Sequence, residues 1–280
     1  MNGRDLSTEY KGRILQVASL PALPTTLHEI NRIMESPEAS TEQIAKVISY
    51  DQSLAAKVLR MVNSPIYGFP GRISSLQHAL TLLGFNVIRG LIISTSVFED
   101  MNTSMAGLWD HSLGTSLACA EIARVTGRKN PEEYAVAGLL HDLGKAVFSL
   151  QIPEAKVEVE ALVKNADISF FEAETRVLGF GHDRINRWIC DHWNLPLIIC
   201  EGMVYHHAPL RAEHHPEVAA VVQLGDFFAR VFDCGFGGDR GVNAIDPRSM
   251  KILGLNQKMM EELIDSVGEE IFNVLAQLKG

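Results

Sequence analysis

The sequence predicts an all-α protein, and three observations support this. Apolar residues recur at helical spacing along almost the whole chain, capping residues and breakers punctuate those segments, and no run alternates as a strand would. Thr41 caps a stretch through Met61 in which Ile44, Val47, Ile48, Leu54, Val58 and Leu59 share a face, with a break near Asp51-Gln52-Ser53. Asn63-Ser64-Pro65 ends it, and Tyr67-Gly68-Phe69-Pro70-Gly71 is a loop dense in breakers. Ser74 or Ser75 caps the next helix, whose inner face is Leu76, Ala79, Leu80 and Leu83. Gly84-Phe85-Asn86 turns the chain into a helix from Val87 to Phe98. Helices follow over Trp109–Arg124, over Glu132–Leu150 in pieces, and over Glu154–Asn165, which is acidic and amphipathic. Further ones run over Phe170–Leu178, His182–Trp193, Pro196–His206 and Pro216–Phe232, and the tail beyond Asp246 holds a last amphipathic helix around Lys258–Gln277. There is no internal repeat and no low-complexity tract.

At 280 residues, with 46% hydrophobic and 21% charged, the chain can bury a sizeable core as one or two domains. Its formal net charge of −9 argues against general binding to nucleic acid or anionic membrane. Cys119, Cys190, Cys200 and Cys234 lack CxxC spacing and read as reduced thiols rather than a disulfide framework. No segment approaches the roughly 18 continuous apolar residues of a membrane span, and Met1 to Tyr10 carries no signal-peptide core. A cytoplasmic location is expected.

The most informative feature is His141-Asp142, at the end of the apolar run Ala137-Gly138-Leu139-Leu140. An imidazole next to a carboxylate can hold one metal ion with adjacent side chains, but the dipeptide alone is a weak signal. Its weight comes from His111 before it and from His182, His206, His207 and Asp226 after it, each in or beside a segment patterned as a buried helix. Ligands on separate helices can converge when those helices pack together. Mixed imidazole and carboxylate donors suit Fe, Mn, Ni, Co or Zn, as one or two divalent ions, better than Ca or Mg. A two-metal site of this kind can support attack on a phosphoryl group. Lys145, close by in sequence, is a candidate catalytic residue that could meet a phosphate oxygen or pair with a carboxylate. Taken from the residues alone, packing explains these histidines about as readily as a metal does.

Other features have plainer readings. His28 and His78 read as polar residues of helix ends, His192 as structural, and His214-His215 as loop polarity. The run Gly235-Phe236-Gly237-Gly238-Asp239-Arg240-Gly241 lacks the Lys-Ser/Thr of a phosphate loop and reads as a flexible connection. Arg184, Arg187 and Arg211 are candidate phosphate contacts, although solvated surface arginines are commoner.

The order His, His-Asp, His, His-His, Asp resembles the HD phosphohydrolase superfamily. Leu20-Pro21-Ala22-Leu23-Pro24, Ile48 to Leu54, Asn63-Ser64-Pro65-Ile66-Tyr67-Gly68 and Ile73 to Gly84 narrow the resemblance to the HDOD family. So do Trp109-Asp110-His111-Ser112, Gly138 to Lys145, Glu174 through Gly179 to His182, and Trp193-Asn194-Leu195-Pro196 followed by His206-His207. The resemblance covers about residues 15 to 235. It implies an N-terminal helical lobe (1–104) packed on an HD-like helical bundle lobe (105–235), with a C-terminal loop and amphipathic helix (236–280). It also implies a ligand pattern on His111, His141, Asp142 and Asp226, to which the related HD-GYP phosphodiesterases add the counterparts of His182, His206 and His207. After His206-His207 the chain reads Ala208-Pro209-Leu210-Arg211, without a Gly-Tyr-Pro motif, and Gly107 stands where some HD-GYP enzymes carry a further Glu ligand.

Two functions of different class follow. In the first, the chain is a bacterial signal-transduction output module whose metal site is structural or vestigial, and its N-terminal lobe meets a signalling protein. Tyr67, Phe69 and Pro70 are candidates for that surface, with core packing the commoner reading. In the second, it is a metal-dependent phosphohydrolase or phosphodiesterase acting on a phosphate ester or nucleotide. A pocket that binds a nucleotide without turnover is a third reading. A homo-oligomer is compatible with any of these.

Overall fold

The computed structural model describes residues 10–14, 25–34, 36, 39–239, 241–242 and 244–279. Among them every regular element is a helix. The segments Leu20-Pro21-Ala22-Leu23-Pro24 and Met1 to Glu9, Arg240 and the side chain of His28 lie outside the described residues. The chain divides into two compact units, 20–98 and a second made of 1–19 with 99–280. The division falls between Phe98 and Glu99 rather than at 104/105, and the stretch 236–280 is part of the larger unit. Within that unit Arg13, in the helical turn 10–14, donates to the carboxylate of Glu154.

In the smaller unit, α1 (Thr25–Met34), α2 (Thr41–Ser49) and α3 (Gln52–Val62) pack in sequence, and α4 (Leu76–Ser104) begins there. Local chemistry sets the boundaries. Ser40 and Gln43 form a reciprocal capping box at the start of α2. Asp51 accepts from the Leu54 amide at 3.0 Å to start α3, so the break expected near Asp51 is a true helix boundary. Ser75, not Ser74, caps α4 by accepting from the His78 amide at 3.2 Å. The chain kinks at Gly84 (φ 74°, ψ 173°), where the sequence placed a turn. Leu76–Ser96 is long and apolar enough on average to cross a membrane, although no continuous apolar run flagged it. Since 67% of that window is buried inside the protein, its hydropathy is that of a core helix. Tyr67 is buried and stacked on half-buried Phe69 at 6.4 Å, while Pro70 is exposed.

The larger unit is built on four helices that pack against one another in a ring: α5 (Leu108–Val125), α6 (Pro131–Leu140), α11 (Leu197–Tyr205) and α12 (Pro216–Val231). Small residues permit the close approach of α5, α6 and α12, and Cys119 sits in the seam between them, buried with its thiol toward the Val221 carbonyl. The four cysteines are all free and buried. Around the ring, α7 (Leu143–Gln151) packs on α10 (His182–Trp193), and α8 (Pro153–Ala166) on α9 (Phe170–Leu178). Helix α13 (Pro247–Leu253) lies on α12 and α14 (Gln257–Lys279) on α5. Every candidate ligand except His111 and Asp226 stands at a helix terminus, where a side chain can leave the helix axis.

Candidate metal centre

The seven residues expected to converge do so. His111 comes from α5, His141 closes α6 and Asp142 opens α7, His182 is the first residue of α10, His206-His207 follow α11, and Asp226 lies on α12. His111, His141, Asp142, His182 and His206 are each at most 1% exposed, and Asp226 is 8% exposed. The break between α6 and α7 allows the adjacent side chains of His141 and Asp142 to point the same way. Asn186 secures the break by donating to the carbonyls of His141 (2.6 Å) and Met203 (3.0 Å) while accepting from the Gly144 amide (2.8 Å).

The donor atoms form two groups around one carboxylate. Asp142 Oδ2 lies 3.3 Å from His141 Nε2 and 3.7 Å from His111 Nε2. Asp226 Oδ1 completes this group, 2.9 Å from His111 Nε2 and 3.8 Å from His141 Nε2. Asp142 Oδ1 turns the other way, 3.3 Å from His182 Nε2 and 4.0 Å from His206 Nε2. His207 Nε2 is 3.0 Å from His182 Nε2, and the His182 and His206 Nε2 atoms are 3.4 Å apart.

Three imidazoles are oriented from behind. His141 Nδ1 donates to the Gly138 carbonyl (2.7 Å), His206 Nδ1 to the Met203 carbonyl (2.8 Å), and His182 Nδ1 to Glu174 Oε2 (2.6 Å). This leaves each Nε2 facing the cluster. Among the described residues, His111 Nε2, His141 Nε2 and Asp142 Oδ1 are buried and take no hydrogen bond. Buried polar atoms are ordinarily satisfied, and cations in the two donor groups would satisfy these three, the first taking the two imidazoles and the second Asp142 Oδ1. Four or more imidazole nitrogens with two carboxylates fit a divalent transition metal.

The electrostatics agree with that donor set. Burial lowers His111 despite the opposing pull of Asp226, and burial with the neighbouring imidazoles pushes His206 and His207 well down, so these rings are neutral donors. Burial would raise the two aspartates, but it is outweighed. His141 and Lys145 hold Asp142 well below the usual carboxylate range, and Arg230 and His111 do the same for Asp226. Burial would likewise lower His182, but the carboxylate of Glu174 outweighs it and raises the ring to about 9. The charge that holds a proton on His182 also strengthens it as a donor to a cation.

Lys145, read as meeting a phosphate oxygen or pairing with a carboxylate, pairs with a carboxylate and is not open to a phosphate in this structure. It is 1% exposed, and its Nζ donates to Asp142 Oδ2 and to the Gly237 carbonyl, each at 2.7 Å. One turn of helix separates it from Asp142, so an intramolecular pair forms readily. The glycine-rich run is not a free connection either. Gly237 packs against the His111 ring, the Phe236 amide donates to the Gly107 carbonyl (2.9 Å), and Asp239 accepts from Arg230 and from the Phe170 amide. The run is a strap over the His111 side of the cluster.

Sequence reasoning missed Glu174, Asn186, Arg230 and Asp239 as parts of this site. Arg230 donates to Asp226 Oδ1 at 2.9 Å from one turn along α12, the only signal that could have been read in advance. Arg184 and Arg187 instead lie over aromatic rings, Arg187 also donating to the Tyr205 hydroxyl, and Arg211 is exposed; none of the three lines the cleft beside the cluster. That cleft has a volume of about 240 Å³ and is reached past Phe171, His206, His207, Asp226, Phe227 and Arg230. His78 and His192 are exposed, and the backbone amides of His214 and His215 are capped by the carboxylate of Glu201.

Close packing beneath the cluster gives a direct prediction. A Cβ on Gly144 would stand 2.5 Å from the His182 carbonyl oxygen and 2.9 Å from Asn186 Oδ1. Gly144→Ala is therefore expected to cost about 1–3 kcal/mol of stability through overpacking. Equilibrium urea unfolding checks it, and a variant as stable as the parent would mean that α7 and α10 are not packed this tightly.

A family model described as the HDOD domain matches residues 20–209. An HDOD domain protein from Geobacter sulfurreducens, known from its crystal structure, is 27% identical with a TM-score of 0.70, over 90% of this chain and 91% of that one. A Marinobacter aquaeolei VT8 protein, provisionally described as a signal transduction protein, shares the fold at 21% identity and a TM-score of 0.73, over 98% of this chain and 64% of that one. An uncharacterized protein of Treponema pallidum (strain Nichols) is 26% identical over 224 residues, 78% of this chain and 44% of its own length. This chain spans less than half the length of the curated relatives it matches.

Proposed function

Because the chain belongs to the HDOD domain family, we propose that it is a regulatory output module with a metal centre built into its fold, acting through contact with a signalling protein. His111, His141, Asp142 and Asp226 hold one divalent transition-metal ion, and Asp142, His182, His206 and His207 hold a second where two are bound. The observation that carries a structural role is burial. Five of the ligands are at most 1% exposed, Lys145 is committed to Asp142 and Gly237, and the strap covers His111. Metal bound there joins six helices that otherwise meet through unsatisfied polar atoms, and so fixes the bundle. Bacterial relatives and four free, buried cysteines support a location in the bacterial cytoplasm.

A phosphohydrolase is the second reading, and the cleft of about 240 Å³ that reaches His206, His207 and Asp226 favours it. If catalysis survives, the bound metal would polarise a phosphoryl oxygen and acidify a water molecule. The cleft is below the roughly 300–1,000 Å³ of typical ligand pockets, which supports the regulatory reading over one acting on nucleotides. Hydrolysis of bis(p-nitrophenyl) phosphate and of cyclic dinucleotides by metal-loaded protein separates the two. No turnover above that of His141→Ala/Asp142→Ala is expected. Turnover that disappears in that double variant would replace the regulatory reading with the catalytic one.

A further inference from the structure

A cavity larger than the cleft beside the cluster lies elsewhere in the chain. It is a groove of about 1050 Å³ in the smaller unit, between α3 and the loop that returns to α4. One wall carries Leu59 and Arg60 from α3, and the other carries Phe69 and Arg72 from the loop. Both arginines are exposed, and neither has a hydrogen bond or ion pair with a described residue. No acidic residue lines the groove, although the chain as a whole carries a net charge of −9. A cationic groove on an acidic protein is a local reversal of sign, and such a reversal selects anionic partners.

The groove is also preformed. Asn63 donates to the Leu59 carbonyl (2.7 Å) and to the Ile73 carbonyl (2.8 Å), and it accepts from the Ile73 amide (2.7 Å). One side chain therefore ties the end of α3 to the far end of the loop and holds the two walls apart at a set distance. Beside them Ser64 Oγ is buried without a hydrogen-bond partner among the described residues. The volume lies at the upper end of small-molecule pockets, and the lining alternates cationic and apolar groups across two walls. These dimensions and this charge pattern match a stretch of polypeptide better than a compact ligand.

We propose that this groove docks an acidic segment of a partner protein, with an apolar side chain against Leu59 and Phe69 and flanking carboxylates on Arg60 and Arg72. The chemistry is that of acidic-motif recognition by paired arginines. It concerns a different site from the metal centre and stands whether or not the cluster holds an ion.

The test is selection of short random peptides displayed on phage against the full chain, followed by fluorescence anisotropy of the enriched peptides. Arg60→Glu/Arg72→Glu serves as the counter-target. Both residues are exposed, so its melting temperature and metal content should match the parent. Arg60→Gln/Arg72→Gln gives a neutral intermediate. The expected result is enrichment of peptides bearing Asp or Glu on either side of a bulky apolar residue. Their affinity should weaken with added salt and fall at least about tenfold in the double Glu variant, with a smaller loss in the Gln variant. Absence of enrichment, enrichment of peptides without acidic residues, binding unchanged in the Glu variant, or full displacement by ATP would each overturn the proposal, the last in favour of a nucleotide site.

Discussion

Asp142→Ala is expected to be the most damaging single substitution in the larger unit, with loss of bound metal and a loss of about 3–5 kcal/mol of stability from the stranded lysine alone. Asp142 has two tasks that separate physically. Its oxygens face both donor groups, and Oδ2 also accepts from Lys145, whose Nζ lies 2.7 Å away and is 1% exposed. Among the described residues, removing the carboxylate leaves a buried ammonium with only the Gly237 carbonyl and the face of the Phe170 ring (5.6 Å) beside it, and no counter-charge. A double-mutant cycle distinguishes the two tasks. Lys145→Met placed on Asp142→Ala should recover most of the stability, measured by urea unfolding, without recovering the metal. If Asp142→Ala is no less stable than the parent, the buried pair is not what holds α7 in place.

Glu174→Gln should weaken metal affinity roughly 10–100-fold while leaving the fold intact, the usual scale for a residue that orients a ligand without touching the metal. Glu174 is fully buried and accepts from both the ring Nδ1 (2.6 Å) and the backbone amide (2.9 Å) of His182. An amide of the same shape keeps the packing but removes the charge that makes His182 a strong donor. Competition against a chelating dye reads the affinity, and circular dichroism reads the fold. Unchanged affinity would mean that His182 is outside the metal's coordination sphere.

Much of this fold was legible because most of its helices announce their ends. Asp51, Ser75 and the glycine at 84 stand where the periodicity breaks, and Phe170–Leu178 and His182–Trp193 were readable to the residue. The convergence of the candidate ligands was legible for a similar reason, since each polar residue interrupts an apolar segment. What surrounds them was not. Lys145 was readable as a neighbour of Asp142, but spacing cannot say that both of its acceptors are internal. Asn186 reaches the His141 carbonyl across 45 residues and Gly237 meets Lys145 across 92, and no local pattern encodes such contacts. The glycine run looked like a linker because glycine composition suits both a loose chain and one pressed against an imidazole ring. The groove beside α3 was invisible for the opposite reason. Its residues are ordinary ones, and only the Asn63 tie sets them around a common space.

The most direct test of the metal centre is elemental analysis of the untagged protein, purified without chelator, beside Asp142→Ala prepared in the same way. One to two equivalents of Fe, Mn, Co, Ni or Zn per chain are expected in the parent, with none in the variant, because both donor groups share that carboxylate. A parent that carries no metal even after reconstitution would contradict it, and would leave the buried histidines as packing and the protein as an interaction module alone.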